Sequence, residues 1–327
     1  MIITKTPLRI SFFGGGSDIP QFYNKKPGFV LSTSIDRSIQ IAVNNCETDH
    51  VRLSYSVLEQ VNLANQLKHD RVRNALLAFG IHSNIEITSF SDVPTKGTGL
   101  GSSSTFSVGL LKALLEMRWG KPYNKNDLAE LACELEIERC GEQIGKQDQY
   151  AAAYGGFNAI EFDKSGVEVR PVNIGAERLQ LLNDNLFCFH TGISRKAGEV
   201  LKEQVKGLEK QTMVFENTSI MVDMARLALI KLQKGMDNDF GDMLHEAWFL
   251  KKKLSSSMSN PKIDEMYSYG IKSGALGGKL LGAGGGGYML FYVPQKSQGE
   301  FLLNIAKMNK KQLKFKFTDE GSKSWVI

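Results

Sequence analysis

Residues 94–106 read PTKGTGLGSSSTF, a glycine-rich turn followed by three serines and a threonine. The preceding residues 84–90 (NIEITSF) alternate with a period near two, which predicts a strand that enters the turn. Residues 102–119 are apolar over most of their circumference, which predicts a buried helix. The order is therefore strand, glycine loop and helix. The free N–H groups of such a helix start suit a phosphate group.

Glycines at positions 97, 99 and 101 allow a tight turn and a close approach to a ligand. The stretch is not a P-loop, because no lysine follows Gly101, and it does not match the dinucleotide fingerprint GxGxxG. A flexible loop followed by an ordinary helix with a serine N-cap is the alternative that these residues leave open.

Length and composition predict an ordinary globular protein. With 327 residues, of which 42% are hydrophobic and 23% charged, the chain is long enough for two domains that share a cleft. It has neither a run of about 18 apolar residues nor the regions of a signal peptide, so we expect a cytoplasmic protein without a membrane partner. The four cysteines contain no CxxC pair, which predicts free thiols. The net charge of +5 suits anionic small molecules, and no motif indicates nucleic-acid binding.

The chain begins with a second glycine-rich block. Residues 7–18 (PLRISFFGGGSD) predict a strand that ends in three glycines and a Ser-Asp pair. Arg9 lies on an otherwise apolar strand and therefore needs an anion, either a ligand or a structural ion-pair partner. Asp18 is either a turn or N-cap acid or a ligand contact. Beyond it, residues 29–35 and 39–45 predict the two strands of a hairpin.

An acidic helix is predicted over residues 126–140 (NDLAELACELEIERC). In an α-helix, Glu134 and Glu138 share one face and Glu136 points elsewhere, because residues four apart stack and residues two apart diverge. A solvated acidic face is the simplest interpretation of this pattern.

Asp148 follows in the stretch GEQIGKQDQYAAAYGG, residues 141–156, just before a helix of small residues. It is either an N-cap or a carboxylate held near a ligand. Residues 191–197 (TGISRKA) gather Ser194, Arg195 and Lys196 at a helix start, where they can bind an anion or stay solvated.

The last glycine-rich stretch is LLGAGGGGYMLFYV, residues 280–293. It contains GxGxxG, but with a predicted helix before it and a strand after it, which reverses the order that a dinucleotide site requires. So many glycines predict a backbone that passes very near another segment.

The blocks PLRISFFGGGSD, GLGSSST and LLGAGGGGYMLF, in this order, resemble the three motifs of the GHMP kinases, and the match spans nearly the whole chain. The resemblance implies an α+β fold of two domains with an active-site cleft between them. Residues 1–180 would resemble domain 2 of ribosomal protein S5, and residues 181–327 would form a ferredoxin-like α+β domain. ATP and Mg²⁺ would be the cofactors.

The resemblance also implies roles for individual residues. Asp148 would act as the base and Arg9 would stabilise charge beside it. Ser103 and Glu136 would hold the metal, with Glu138 as the alternative to Glu136. ATP would bind at Lys96, Gly97, Thr98, Gly99, Leu100, Gly101, Ser102, Ser103 and Ser104. The sugar phosphate would bind at Gly15, Gly16, Ser17, Asp18, Arg195, Lys196, Gly284 and Gly285.

Within the family, residues 7–18, 145–156 and 191–197 look most like heptose 7-phosphate kinases. This resemblance implies phosphorylation of O1 of D-glycero-D-manno-heptose 7-phosphate by a monomer or homodimer. The alternatives are a kinase of an unphosphorylated sugar, such as L-fucose or an N-acetylhexosamine, and a catalytically silent sugar-binding relative. A decarboxylase of isoprenoid synthesis would need a mevalonate-type site, which the sequence lacks.

Overall fold

The computed structural model describes residues 1–94, 97–120, 123–193, 198–210, 212–235 and 239–327, with the backbone alone at positions 119 and 199. The described strands are β1 Ile2–Phe13, β2 Gly28–Asn45, β3 Val51–Ser54, β4 Leu58–Val61, β5 Ile85–Ser91, β6 Phe157–Asp163, β7 Gly166–Pro171, β8 Leu186–His190, β9 Gly277–Leu280, β10 Tyr288–Tyr292, β11 Gln312–Leu313 and β12 Lys323–Val326.

The described α-helices are α1 Pro20–Tyr23, α2 Asp70–Ala78, α3 Ser102–Trp119, α4 Lys125–Cys133, α5 Gln147–Tyr154, α6 Ala176–Asp184, α7 Gly198–Glu209, α8 Met213–Lys234, α9 Asp239–Lys252, α10 Pro261–Lys272 and α11 Gln298–Ala306. A π-helix, Glu134–Arg139, continues α4, and Ala64–Gln66 and Gln295–Ser297 form 3₁₀ turns. This mixture of helices and strands confirms the predicted α+β class.

The first sheet has the order β12-β1-β2-β5-β3-β4, and β6 joins the free half of β2 and pairs in turn with β7. Its pairs are antiparallel except β3 with β5, which are parallel. The strand β12, from the far end of the sequence, lies beside β1 and closes one side of this sheet.

The predicted hairpin within residues 29–45 is wrong, because β2 runs unbroken from Gly28 to Asn45. Its first half pairs with β6 and its second half with β5, so the strand changes partner midway. Asp36 and Arg37 lie at this change and not in a turn. They bond instead to residues 314–316, since Asp36 N donates to the Lys316 carbonyl at 2.8 Å and Arg37 Nε to the Lys314 carbonyl at 2.9 Å.

The second sheet has the order β11-β8-β10-β9 and is antiparallel throughout its described strands. The element before the last glycine run is β9, not the predicted helix. All four residues of β9 are buried, so the strand shows no alternation between polar and apolar side chains, and the pattern that would identify it is missing.

Helix α3 packs against β1 and β2 and supplies much of the first core. Its buried apolar residues include Phe106, Val108, Leu110, Leu111, Ala113, Leu114 and Leu115. Helices α8 and α9 pack against each other. Helix α8 also contacts β1 and β2, and α9 contacts β9. Helix α6 spans positions 180 and 181, so a domain boundary there would fall inside a helix. None of the described helices combines the length and apolar character needed to cross a membrane.

Candidate active site

The glycine loop opens directly onto the first turn of α3. Gly101 occupies the N-cap position with a left-handed φ of 77°, and no side chain caps the helix. The alternative of an ordinary serine-capped helix is therefore excluded. The N–H groups of the first turn are left for another acceptor, as expected for a phosphate-binding loop.

The last glycine run lies directly on this loop. A Cβ atom built on Gly99 would lie 2.3 Å from the Leu281 carbonyl oxygen, and one on Gly282 would lie 2.3 Å from the Gly99 α-carbon. The Tyr288 N–H also donates to the Thr98 carbonyl at 3.1 Å. The prediction that these glycines allow a very close approach to another segment is confirmed, and that segment is the first glycine loop.

Arg9 and Asp148 form an ion pair at the inner edge of the loop. Arg9 is only 4% exposed, and it donates from Nε to Asp148 Oδ1 at 2.8 Å and from Nη2 to Oδ2 at 2.9 Å. Its third nitrogen donates to the Gly99 carbonyl at 2.6 Å. Asp148 lies in the first turn of α5 and does not cap it, since the N-cap residue is Lys146. A Cβ atom on Gly101 would lie 3.4 Å from Asp148 Oδ2. The carboxylate therefore borders the loop, and Arg9 links the two through its bonds to Asp148 and to the Gly99 carbonyl.

Asp18 is buried beside this pair and is fixed by three donors. It accepts from the backbone N–H groups of Gly16 and Gln147 at 3.0 and 3.1 Å, and from the Gln147 side-chain amide at 3.0 Å. Burial raises the pKa of the Asp18 carboxyl group, and the nearby Asp148 charge adds to this effect. Asp18 thus links the first glycine block to the start of α5.

Glu136 lies beside the first turns of α3. Residues 134–139 form a π-helix and not the predicted α-helix, but Glu136 still lies on a different face from Glu134 and Glu138, as predicted. Glu136 is fully buried and accepts from Ser104 at 2.8 Å, Ser107 at 2.6 Å and Gln149 at 2.5 Å. Glu138 is exposed. Of the two alternative acids, Glu136 is the one that faces the loop helix.

The sequence reasoning missed Arg71 and Glu142, which lie on the cavity side of Glu136. Arg71 Nε is 3.0 Å from a Glu136 oxygen, and Arg71 Nη2 is 2.6 Å from Glu142. Burial raises the pKa of the Glu142 carboxyl group, while the Arg71 charge opposes that shift. The local sequence gave no signal for this pair, because the two residues are 71 positions apart.

Two buried lysines were also missed. Lys251 donates to the carbonyls of Leu280 and Gly282 at 2.8 and 2.5 Å, and Lys279 donates to those of Ser11 and Phe12 at 2.9 and 2.5 Å. Burial lowers the pKa of Lys251 to about 7, with a smaller effect from Arg9. The pKa of Lys279 is also lowered, chiefly by burial. For Lys279 the sequence did contain an indication of burial, because this lysine lies inside the apolar stretch GGKLL.

A cavity of about 240 Å³ brings these groups together. Its lining includes the predicted residues Arg9, Gly15, Gly16, Asp18, Gly97, Thr98, Gly99, Gly101, Ser102, Ser103, Ser104, Asp148 and Gly284. It also includes Ser11, Arg71, Glu142, Gln147, Gln204, Lys251 and Lys279, which were not predicted to bind a ligand. The cavity thus combines basic side chains, acidic side chains and the N–H groups of a helix start.

Several predicted site residues lie elsewhere. Ser17 is buried, and its hydroxyl donates to the Gly14 carbonyl and accepts from the Phe29 N–H, so its role is to hold the turn. Leu100, Gly285 and Glu136 do not line the cavity. Leu100 is buried, and the Gly285 N–H is bonded to the Met258 carbonyl. Lys96, Arg195 and Lys196 fall outside the described residues.

Sequence and structure comparisons give a consistent result. The family description "GHMP kinases N terminal domain" matches residues 62–156, and "GHMP kinases C terminal" matches residues 228–310. A D-glycero-alpha-D-manno-heptose 7-phosphate kinase from Campylobacter jejuni is 33% identical over 100% of this chain and 99% of its own. A bifunctional fucokinase/GDP-fucose pyrophosphorylase from Arabidopsis thaliana is 27% identical over 87% of this chain and 29% of its own. A solved D-glycero-D-manno-heptose 1-phosphate kinase from Bacteroides thetaiotaomicron superposes with a TM-score of 0.82, at 25% identity and with coverage of 100% and 99%.

Proposed function

Since this chain belongs to the GHMP kinase family, we propose that it phosphorylates O1 of D-glycero-D-manno-heptose 7-phosphate at the expense of ATP. Its relatives make it a kinase that transfers phosphate to a hydroxyl acceptor, and a sugar kinase within the family. The GHMP kinase fold implied by the sequence is confirmed. The division into residues 1–180 and 181–327 remains our proposal.

The observation that best supports phosphoryl transfer is the position of Asp148 beside the glycine loop. Phosphoryl transfer needs the acceptor hydroxyl, its base and the donor phosphate within a few ångströms of one another. The carboxylate of Asp148 lies against Gly101, at the start of the helix whose N–H groups would receive the phosphates. The proposed base and the proposed phosphate cradle thus line the same cavity, which supports this assignment.

In the proposed reaction, Asp148 accepts the proton of the sugar O1 hydroxyl as that oxygen attacks the γ-phosphorus. The bond from the γ-phosphorus to the bridging oxygen breaks, and ADP leaves with the bond's electron pair. Arg9 holds the carboxylate through two hydrogen bonds and places a positive charge beside the reacting oxygens. An anomeric hydroxyl is more acidic than an ordinary alcohol, which suits a carboxylate base.

We propose a site for a divalent cation such as Mg²⁺ at the start of α3. Arg71 pairs with the carboxylates of Glu136 and Glu142, so an ion held by Glu136 would replace part of this pairing. Ser103 is exposed at the same helix start and lines the cavity. We propose that Ser103 and Glu136 hold the ion, which would neutralise phosphate charge when bound.

The phosphate of the sugar is proposed to bind Arg195 and Lys196, with Lys96 contributing, whereas Lys146 Nζ is paired with Glu130 at 3.1 Å and does not line the cavity. A phosphate brings nearly two negative charges, and each charged hydrogen bond to it contributes about 1.5–3 kcal/mol. The product would be the 1,7-bisphosphate, a precursor of nucleotide-activated heptose for surface glycans, made in the cytoplasm.

A coupled assay of ADP release over a panel of acceptors tests this proposal. The panel contains heptose 7-phosphate, heptose 1-phosphate, free heptose, L-fucose and mevalonate, because relatives of this chain include enzymes named for several of these classes. Heptose 7-phosphate should give the highest kcat/KM, and Arg195→Ala should raise its KM at least about tenfold without changing the KM for ATP. Preference for a neutral hexose would favour the fucokinase-like alternative. Turnover of none of them would favour a silent sugar-binding relative.

A further inference from the structure

One end of the cavity contains polar atoms without partners among the described residues. They are Ser11 Oγ, Gln147 Oε1 and Gln204 Nε2. Ser11 and Gln204 are only 6% and 4% exposed, and all three residues line the cavity. Buried polar groups are normally hydrogen-bonded, because leaving one unpaired costs free energy. Three such atoms at one end of a cavity therefore indicate a ligand.

The Gly14–Gly16 turn brings these side chains together. A Cβ atom on Gly15 would lie 3.8 Å from both Ser11 Oγ and the Gln147 amide nitrogen, so these two side chains flank Gly15. A Cβ atom on Gly16 would lie 2.1 Å from Gln204 Nε2. Gln204, which is carried by α7, therefore occupies the space that a larger residue at position 16 would fill.

The chemistry of the three atoms identifies the class of ligand. Gln147 donates its amide N–H to Asp18, which leaves its Oε1 as an acceptor. Gln204 Nε2 can only donate, and the Ser11 hydroxyl can do both. Phosphate oxygens accept hydrogen bonds and would leave Gln147 Oε1 unpaired. Neighbouring hydroxyl groups donate and accept at the same time and satisfy all three atoms.

We propose that Ser11, Gln147 and Gln204 form a hydroxyl-recognition site, which binds the neutral polyhydroxyl part of the substrate and determines which sugar is accepted. This inference rests on the proposed sugar kinase function and deepens it. The substrate phosphate would then lie away from the Gly14–Gly16 turn. Rotation about the terminal torsion of Gln204, which has a broad energy well, directs its amide toward the sugar.

The test compares Gln204→Met with wild type, with Gln60→Met on the exposed face of β4 as the matched control. The measurements are KM for the sugar phosphate, KM for ATP, kcat and the melting temperature. Gln204→Met should raise the sugar KM about tenfold and leave the ATP KM unchanged. Its melting temperature should equal or exceed that of wild type, because the free protein loses no hydrogen bond from Nε2.

A series of monodeoxy sugars then locates the recognised hydroxyl. For the wild type, one of these analogues should be a poorer substrate than the parent sugar. For Gln204→Met, the same analogue and the parent sugar should be equally good substrates. Ser11→Ala should behave in the same way toward an adjacent position and provides a second variant with a minimal change in packing.

An unchanged sugar KM in both variants would overturn the inference and leave the proposed function standing. A large drop in melting temperature together with a higher ATP KM would assign Gln204 a structural role and would also overturn it. If wild type phosphorylates no sugar, the proposed function fails, and the hydroxyl-recognition site fails with it.

Discussion

Replacing Asp148 by asparagine tests the centre of the proposed mechanism. The amide keeps the size of the carboxylate but cannot take up the acceptor proton, so kcat should fall by about 10² to 10⁴-fold. This loss corresponds to roughly 3–5 kcal/mol of transition-state stabilisation. Nucleotide binding should change little, because the loop and the start of α3 keep their geometry.

The structure also predicts the effect of Asp148→Asn on stability. Arg9 is buried and loses one of its two charge-assisted hydrogen bonds, since the asparagine Nδ2 donates and does not accept. Such a bond contributes about 1.5–3 kcal/mol, and the partial exposure of Asp148 favours the lower part of this range. For 327 residues the entropy of unfolding is about 0.7 kcal/mol/K, so the melting temperature should fall by about 2–3 °C.

The assay combines steady-state ADP release, calorimetric nucleotide binding and thermal melting, with Asp223→Asn on the exposed surface of α8 as the control. Turnover within about threefold of wild type would refute the assignment of Asp148 as the base. A loss of nucleotide affinity equal to the loss of turnover would instead show that the residue organises the loop.

Three further perturbations test other parts of the site. Gly101→Val should weaken ATP binding, because a branched side chain would occupy a left-handed position 3.2 Å from Arg9; calorimetry on the folded variant would show unchanged affinity if the loop is not the cradle. Glu136→Gln should raise the Mg²⁺ concentration needed for half-maximal activity more than Glu138→Gln does, and equal effects in a metal titration would remove this role from Glu136. The pKa of Lys251 is about 7 in the folded protein, against 10.5 for an ordinary lysine. Between pH 7 and pH 10.5 the unfolded chain therefore binds one more proton at Lys251 than the folded protein does, and the free energy of unfolding rises with pH in this window. Urea unfolding at pH 7 and pH 9 should show a gain about 2 kcal/mol larger for wild type than for Lys251→Met, and parallel pH profiles would contradict the lowered pKa.

The parts of the site that the sequence predicted well are those built from neighbouring residues. The strand and the helix around residues 94–106 follow from local hydrophobic periodicity. The loop between them follows from its glycines, because the turn needs residues with positive φ angles. The close approach of the last glycine run was predicted for the same reason, although not the identity of its partner.

The errors arose where the structure depends on residues far apart in the chain. The change of partner along β2 looked like a turn, because its polar residues bond to a distant segment. The π geometry of residues 134–139 was not predicted, although the prediction that Glu136 lies on a different face from Glu134 and Glu138 is confirmed. Lys251 and Gln204 reach the cavity from helices that follow the glycine loop by about a hundred residues or more, so no local pattern indicated that they line it.

The contact between the two glycine runs also restricts how the cavity can open. The Thr98 carbonyl is bonded to the N–H of Tyr288 at the start of β10, and Gly99 touches Gly282. The first glycine loop is therefore attached to both sheets, and a rigid separation of the sheets would distort the loop. Any opening of the cavity that preserves the loop therefore has to leave the contact between the two glycine runs in place.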